Sequence, residues 1–268
     1  MDEGRLPADA LPVRTRSAVE ALTGPIHAVT PVDGGHHSDL AVRVDTATGP
    51  VFVKGLRTGD PRAAAQRREA LIGECVAGVG PGVLWRLLVG GWDLVGFEFV
   101  AGRHADYRER SGDLVLLAEA LKVLAGVSLP AVELPSAGER WAGCAPGVGL
   151  GEALVGSTLC HTDFNPENVL VTADGAVLVD WGWAVRGPAW LDPALVVVRL
   201  IATGGQSPAA AQAWAARLPA WRGVPDGVIG DFVEAEARYW EAVTSRTPAP
   251  WSRALADAAR AWAGYRAR

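Results

Sequence analysis

The sequence predicts an α+β protein in two lobes. Residues 1–101 read as a small, mainly antiparallel sheet, and residues 102–268 as a mainly helical lobe carrying one hairpin. Three observations predict this. Apolar residues alternate with period two through much of the first hundred positions, as half-buried strands require. After Gly102 the apolar residues recur at helical spacing. Within that second part, "NVLVT" and "AVLVD" flank "ADGA", and Asp-Gly is a strong signal for a short hairpin.

The elements follow in order. "PVRTRSAVEALT" reads as a short amphipathic helix, with Thr15 or Ser17 as its cap and Gly24 as its stop. Leu40, Val42 and Val44 then alternate with Ala41 and Arg43, and "DTATGP" turns the chain into Val51–Lys54, a hairpin preceded by a loop holding Gly34 and Gly35. In the second of these strands Phe52 and Lys54 share a face opposite Val51 and Val53. "DPRAAAQRREALIGECVAG" predicts a helix with Pro61 near its first turn and Gly78 or Gly80 beyond its end. Two more strands are predicted around Gly90-Gly91. Next comes a helix in "SGDLVLLAEALKVLAGV", with Ser111 as its cap, followed by a Gly-, Pro- and Ala-rich stretch with a short helix near Gly138–Cys144. After the hairpin, Asp192-Pro193 reads as the cap and first turn of a helix that stops at Gly204-Gly205. Residues 208–268 read as Ala- and Trp-rich helices.

Composition narrows the function. Of 268 residues, 49% are hydrophobic and 21% charged, which is globular, with ample core for two lobes. The net charge is −5 and no basic stretch is dense, so nucleic acid is not an expected partner. No apolar run approaches the length of a membrane helix, and the acidic start "MDEGRLPADALP" lacks the apolar core of a signal peptide. Cys75, Cys144 and Cys160 are scattered, without the spacing of a zinc site or a disulfide framework. A reduced, cytoplasmic protein with buried thiols is the expectation.

The 25 basic residues include only two lysines, Lys54 and Lys122. Lys is a compact charge where Arg is a planar fork, so a chain this sparing of Lys is expected to use it where space is tight. Folding the hairpin about Asp174-Gly175 brings Asn168 opposite Asp180 or Trp181. Carboxylate and amide oxygens together suit Mg²⁺, which takes one or two carboxylates and fills its other positions with phosphate and water. Asp163 lies just before, on "HTDFNP". Singly, such Asn and Asp residues are most often turn or cap residues; their convergence, with Lys54 on a strand and a Glu on the next helix, raises the functional reading above that.

"HTDFNPENVLV" followed by "LVDW" resembles the catalytic loop and metal-binding segment of the aminoglycoside phosphotransferase and choline kinase-like superfamily, which has a protein kinase-like fold. The resemblance extends over roughly residues 15–205. It implies an ATP- and Mg²⁺-dependent kinase whose acceptor is a hydroxyl of a small molecule, with an aminoglycoside or related antibiotic as one such acceptor. It further implies Asp163 as catalytic base and Asn168 and Asp180 as Mg²⁺ ligands. Gly34, Gly35 and Ser38 would form the loop over the ATP phosphates. Lys54 would hold the α/β-phosphates with Glu69 as its helix partner. Glu98 and Val100, in "EFVAG", would form the hinge that meets adenine. Asp192 would support the catalytic loop.

Some positions depart from that pattern or compete within it. Thr162 stands where the family often has Gly, and His36 and His37 in the nucleotide loop have no required role. Glu74 rivals Glu69, but five helical residues rotate the side chain by about 140°, so both cannot face Lys54, and Glu69 is preferred. Asp39, Asp45, Asp60 and Asp174 read as turn residues, and His161 as structural. Trp214, Trp221, Trp240, Trp251 and Trp262 read as core before substrate cage. The acids of that region are matched by arginines, so a concentrated anionic pocket for a polycation is neither indicated nor excluded. Two other functions stay open: a Ser/Thr kinase of a peptide in natural-product biosynthesis, and a catalytically silent nucleotide-binding module.

Overall fold

The computed structural model describes residues 13–32, 38–144 and 149–268. Gly34, Gly35, His36 and His37 lie outside the described residues. The chain divides into two compact units. The first is Met1–Ala101 with Val179–Gly182, and the second is Gly102–Leu178 with Trp183–Arg268. The segment Val179–Gly182, read from sequence as part of the second lobe, thus belongs to the first unit.

The first unit opens with α1 (Val13–Thr23), followed by β1 (Ile26–Pro31), β2 (Leu40–Thr46) and β3 (Gly49–Arg57). Then come α2 (Ala63–Gly73), β4 (Val83–Val89) and β5 (Trp92–Glu98). The sheet order is β1-β2-β3-β5-β4, antiparallel throughout. Period two sorts its side chains onto two faces. Val42, Val44, Val51, Val53, Trp92 and Leu94 pack into one core with Val19 of α1. Phe52, Val95 and Phe97 pack against Ala70 of α2 on the other face. Lys54 shares the parity of Phe52 and is paired with Val95 of β5, so it is directed to the α2 side.

The position of α2 is fixed at two points. The Gln66 amide donates to the Asp93 carbonyl at 2.8 Å. At Gly73, a Cβ would come within 2.5 Å of Val83, so only glycine lets the helix end lie this close to β4. The helix stops there, with Glu74 as its C-cap, short of the predicted stop at Gly78 or Gly80. Thr15 and Ser17 lie inside α1 and not at its cap. Asp45 sits within β2, not in a turn.

The second unit holds β6 (Arg103–His104), α3 (Asp113–Leu124), α4 (Ala137–Trp141) and α5 (Gly149–Ala153). β7 (Thr158–Cys160), β8 (Val169–Val171), β9 (Ala176–Leu178) and β10 (Val185–Gly187) follow, then α6 (Leu191–Ala202). α7 (Pro208–Ala215), α8 (Asp226–Arg246) and α9 (Pro250–Arg266) complete it. Gly112 is the N-cap of α3, with the Ser111 hydroxyl accepting from the Asp113 N–H at 3.2 Å. Ser136 closes a capping box with Glu139 at the start of α4. Trp190, not Asp192, is the N-cap of α6, because Asp192 is used elsewhere.

The hairpin differs from its predicted register. Val169 pairs with Leu178 and Val171 with Ala176, so the tip is the four residues Thr172–Gly175 and not a two-residue Asp-Gly turn. The Thr172 hydroxyl donates to the Gly175 carbonyl and accepts from the Asp174 N–H, while Gly175 takes φ 144°. This slips the pairing by one residue from an Asn168–Asp180 opposition. Asn168 ends a 3₁₀ turn (Pro166–Asn168) ahead of β8. Only Cys160 is a buried thiol; Cys75 is exposed and Cys144 half-buried. Among the described residues no helix is long and apolar enough to cross a membrane.

Candidate active site

In the first unit, β3 presents Lys54 and α2 presents Glu69, both buried. The Lys54 ammonium donates to both Glu69 carboxylate oxygens, at 2.9 and 3.0 Å. It also donates to Asp180 Oδ1 at 3.0 Å. One cation therefore balances two carboxylates. Burial alone would push the Lys54 pKa down, but the Asp180 and Glu69 carboxylates outweigh it, and the ammonium is held well above its ordinary value. Glu74 is exposed and takes no part. Lys122 instead forms a surface pair with Glu119.

Asp180 has φ 63°, and Thr162 in the second unit has φ 67°. Left-handed backbone is costly for a non-glycine residue, most of all for a β-branched one, and persists where surrounding bonds over-determine it. At Thr162 those bonds are visible. Its hydroxyl donates to the Trp183 carbonyl at 2.7 Å and accepts from Arg140. Its N–H donates to Asp192 Oδ1 at 3.1 Å.

Of the other predicted nucleotide-loop and hinge residues, Ser38 is buried, and its hydroxyl makes no hydrogen bond among the described residues. Glu98 ends β5, exposed, and accepts from the Gly82 N–H at 2.9 Å. Val100 lies beyond β5, half-buried.

The second unit gathers its groups around the loop between β7 and β8. Asp192, near the start of α6, is buried and accepts from the His161 N–H at 2.9 Å and from the Thr162 N–H. Burial pushes its carboxyl up to about 7, with those two N–H bonds and Arg140 opposing the shift. His161 is fully buried, and its Nδ1 accepts from the Asp163 N–H at 3.2 Å. The Tyr107 hydroxyl donates to the Phe164 carbonyl. Together these bonds fix the loop on both sides of Asp163.

Asp163 itself is held at both oxygens. Arg199 Nη2 donates to Oδ1 at 2.8 Å, and Asn168 Nδ2 donates to Oδ2 at 2.9 Å. The Asn168 nitrogen is thus engaged, and its Oδ1 is left as an acceptor or ligand.

Sequence reasoning did not single out Arg199, Arg140 or Glu236. Glu236 on α8 is 1% exposed, and its two oxygens accept from the indole N–H groups of Trp141 and Trp240, each at 2.6 Å. Arg140 gives its two terminal nitrogens to Thr162 and the Trp183 carbonyl. The available signal for Arg199 was one charge inside the apolar run "ALVVVRLIAT". Of the five tryptophans, Trp262 and Trp214 are core, Trp221 and Trp240 half-buried, and Trp251 exposed.

The model of the phosphotransferase enzyme family matches residues 150–225, the segment that carries Asp163, Asn168, Asp180, Asp192 and Arg199. An apo thermostable mutant of aminoglycoside phosphotransferase APH(4)-Ia superposes with a TM-score of 0.63 at 13% identity, covering 93% of this chain and 99% of that one. The fold is that of the aminoglycoside phosphotransferases and choline kinases. Spectinomycin phosphotransferase APH(9)-Ia, in complex with ADP and spectinomycin, gives 0.60 at 13% identity over 96% of this chain and 94% of its own. Choline kinase LicA from Streptococcus pneumoniae gives 0.59 at 13% identity, over 93% and 99% respectively. Among curated proteins no sequence matches the chain. The resemblance read from "HTDFNPENVLV" and "LVDW" is borne out, by sequence family over residues 150–225 and by fold over nearly the whole chain.

Proposed function

We propose that the protein is an ATP- and Mg²⁺-dependent O-phosphotransferase that transfers the γ-phosphoryl group to a hydroxyl of a small molecule. The observation that carries this reading is Asp163. Its carboxylate is fixed at both oxygens by Arg199 and Asn168, on a loop tied down by Asp192 and His161. Catalysis of phosphoryl transfer is mainly positioning and charge neutralisation, and a carboxylate so held is built to orient a hydroxyl and take its proton.

In the reaction, the acceptor oxygen bonds to the γ-phosphorus as the bond from that phosphorus to the β–γ bridging oxygen breaks. ADP leaves, and the acceptor proton passes to Asp163. Lys54, kept charged by Glu69 and Asp180, would hold the α/β-phosphates. Gly34, Gly35 and Ser38 would cover the phosphates, and the Glu98–Val100 backbone would meet adenine.

Asp180 and Asn168 fit a hard divalent cation. Asp180 brings a carboxylate beside the Lys54–Glu69 pair, and Asn168 Oδ1 is an uncommitted oxygen among the described residues. Bound Mg²⁺ would neutralise phosphate charge as it develops. No group of three or more His, Cys, Asp or Glu able to hold a metal occurs among the described residues. The proposed cation would be held by one or two protein oxygens and completed by phosphate and water.

The test is transfer from labelled ATP with Mg²⁺ to a panel of aminoglycosides, amino alcohols, sugars and Ser/Thr peptides. Asp163→Asn should retain ATP binding and lose at least about two orders of magnitude in transfer. Near-normal turnover by that variant removes Asp163 as the base.

A further inference from the structure

We propose that the acceptor carries a carboxylate close to its reacting hydroxyl, and that the guanidinium of Arg199 recognises it. The proposal rests on the phosphotransferase reading and names the substrate class for the same site.

Arg199 is anchored in the last turn of the second unit's apolar helix α6, and its side chain is 17% exposed. Only Nη2 is engaged, by Asp163 at 2.8 Å. Nε and Nη1 make no hydrogen bond among the described residues. These donors are not among the buried atoms that lack a partner, so they are open to a ligand, and the guanidinium fork matches a carboxylate in particular. The unfilled edge adjoins the group that would accept the hydroxyl proton. A ligand satisfying both therefore bears its anion and its hydroxyl near one another.

The surrounding charges disfavour the two obvious cationic acceptors. Glu236 and Asp192 are buried and already bonded within the protein, so they offer a polycation little. Both oxygens of Glu236 go to indole N–H groups. Both oxygens of Asp192 go to backbone N–H groups. Asp163 is held by Arg199 and Asn168. Arg140 adds a second cation to this loop and has no carboxylate partner among the described residues.

A quaternary ammonium would need open aromatic faces. Three of the nearby rings already face protein cations. Arg199 lies 5.8 Å from the Trp240 centroid, and Arg140 lies 5.5 and 5.7 Å from those of Trp141 and Trp183. Two guanidiniums, Arg199 and Arg140, therefore already lie against these rings.

The experiment measures phosphate transfer by the full chain with Mg²⁺ and ATP to matched probes. D-glycerate is set against glycerol, D-gluconate against sorbitol and L-homoserine against its amide, with choline and kanamycin alongside. At least one acid should exceed its neutral counterpart in kcat/KM by about tenfold or more. Arg199→Gln should bring that ratio towards one by raising KM for the acid, with KM for ATP unmoved. Arg199→Lys should restore part of the ratio, which a misfolded variant could not do. Preference for kanamycin or choline over every acid overturns the proposal, as does a ratio unchanged in Arg199→Gln. If ATP is cleaved towards water or a neutral acceptor and no acid is used, the acceptor class falls and the phosphotransferase reading stands. If ATP is never cleaved, both fall.

Discussion

Replacing Lys54 with methionine removes one ammonium and keeps most of its apolar stem, so the substitution isolates the charge. Glu69, 4% exposed, and the largely buried Asp180 then lose the ammonium they share. Breaking a buried pair by removing one partner costs about 3–5 kcal/mol, because the remaining charge is left uncompensated. Two carboxylates remain here, so the upper end of that range is expected at neutral pH. The chain has one relief, which is to protonate Glu69. With its carboxyl raised above the unfolded value, the variant keeps stability at low pH and loses it as pH climbs through that raised value. The deficit against wild type should therefore widen between about pH 5 and pH 8. Urea denaturation followed by circular dichroism at both pH values measures it, with ATP turnover as a second readout. Adding Glu69→Gln to the variant should recover part of the loss, because it deletes one of the repelling charges. Equal stability of Lys54→Met and wild type across the range would falsify the ion-pair account of this site.

Other expectations are more local. Asp180→Ala should abolish Mg²⁺-dependent nucleotide binding, and an unchanged affinity in a calorimetric titration removes Asp180 from the site. The Asp192 carboxyl, pushed up to about 7 by burial, contributes stability that is full below about pH 4 and lost as pH rises through 7. Wild type should therefore lose about 2–3 kcal/mol relative to Asp192→Asn between about pH 5 and pH 8, and a pH-independent difference would contradict that. Glu236→Gln leaves one amide oxygen where two indoles each had an acceptor, and should cost about 1–3 kcal/mol in denaturant melts. No loss would mean that the two indole bonds carry little energy.

What the sequence made legible was local. Lys54 and Phe52 share a parity within one strand, and that parity alone directs Lys54 towards a helix. The rotation per helical residue rules out Glu69 and Glu74 both facing Lys54, and the resemblance implied that Glu69 is the one that does. The loop from His161 to Asn168 is contiguous, so its residues stay together in any fold. What escaped notice depends on distant segments meeting. Arg199 comes to Asp163 from α6, and Arg140 to Thr162 from α4. Glu236 collects indoles from α4 and from its own helix. The hairpin tip was misjudged because Asp-Gly favours a two-residue turn, while the Thr172 hydroxyl favours four by bonding across it. The stop of α2 was set by a steric demand at Val83 that no signal within the helix announces.

Thr162 and Asp180 share an unusual backbone. Thr162 spends its hydroxyl and its N–H on holding the loop in a conformation glycine would adopt freely. Asp180 has consequences for the covalent order of the chain. It balances Lys54 from a position 126 residues away, in a four-residue segment that belongs to the first unit while both its flanks belong to the second. No single cut therefore separates the two units. A gene fragment ending at residue 101 would encode the lysine and the helix glutamate without the aspartate that completes their charge balance. Exchange of whole lobes between related chains by one crossover would part the same three residues.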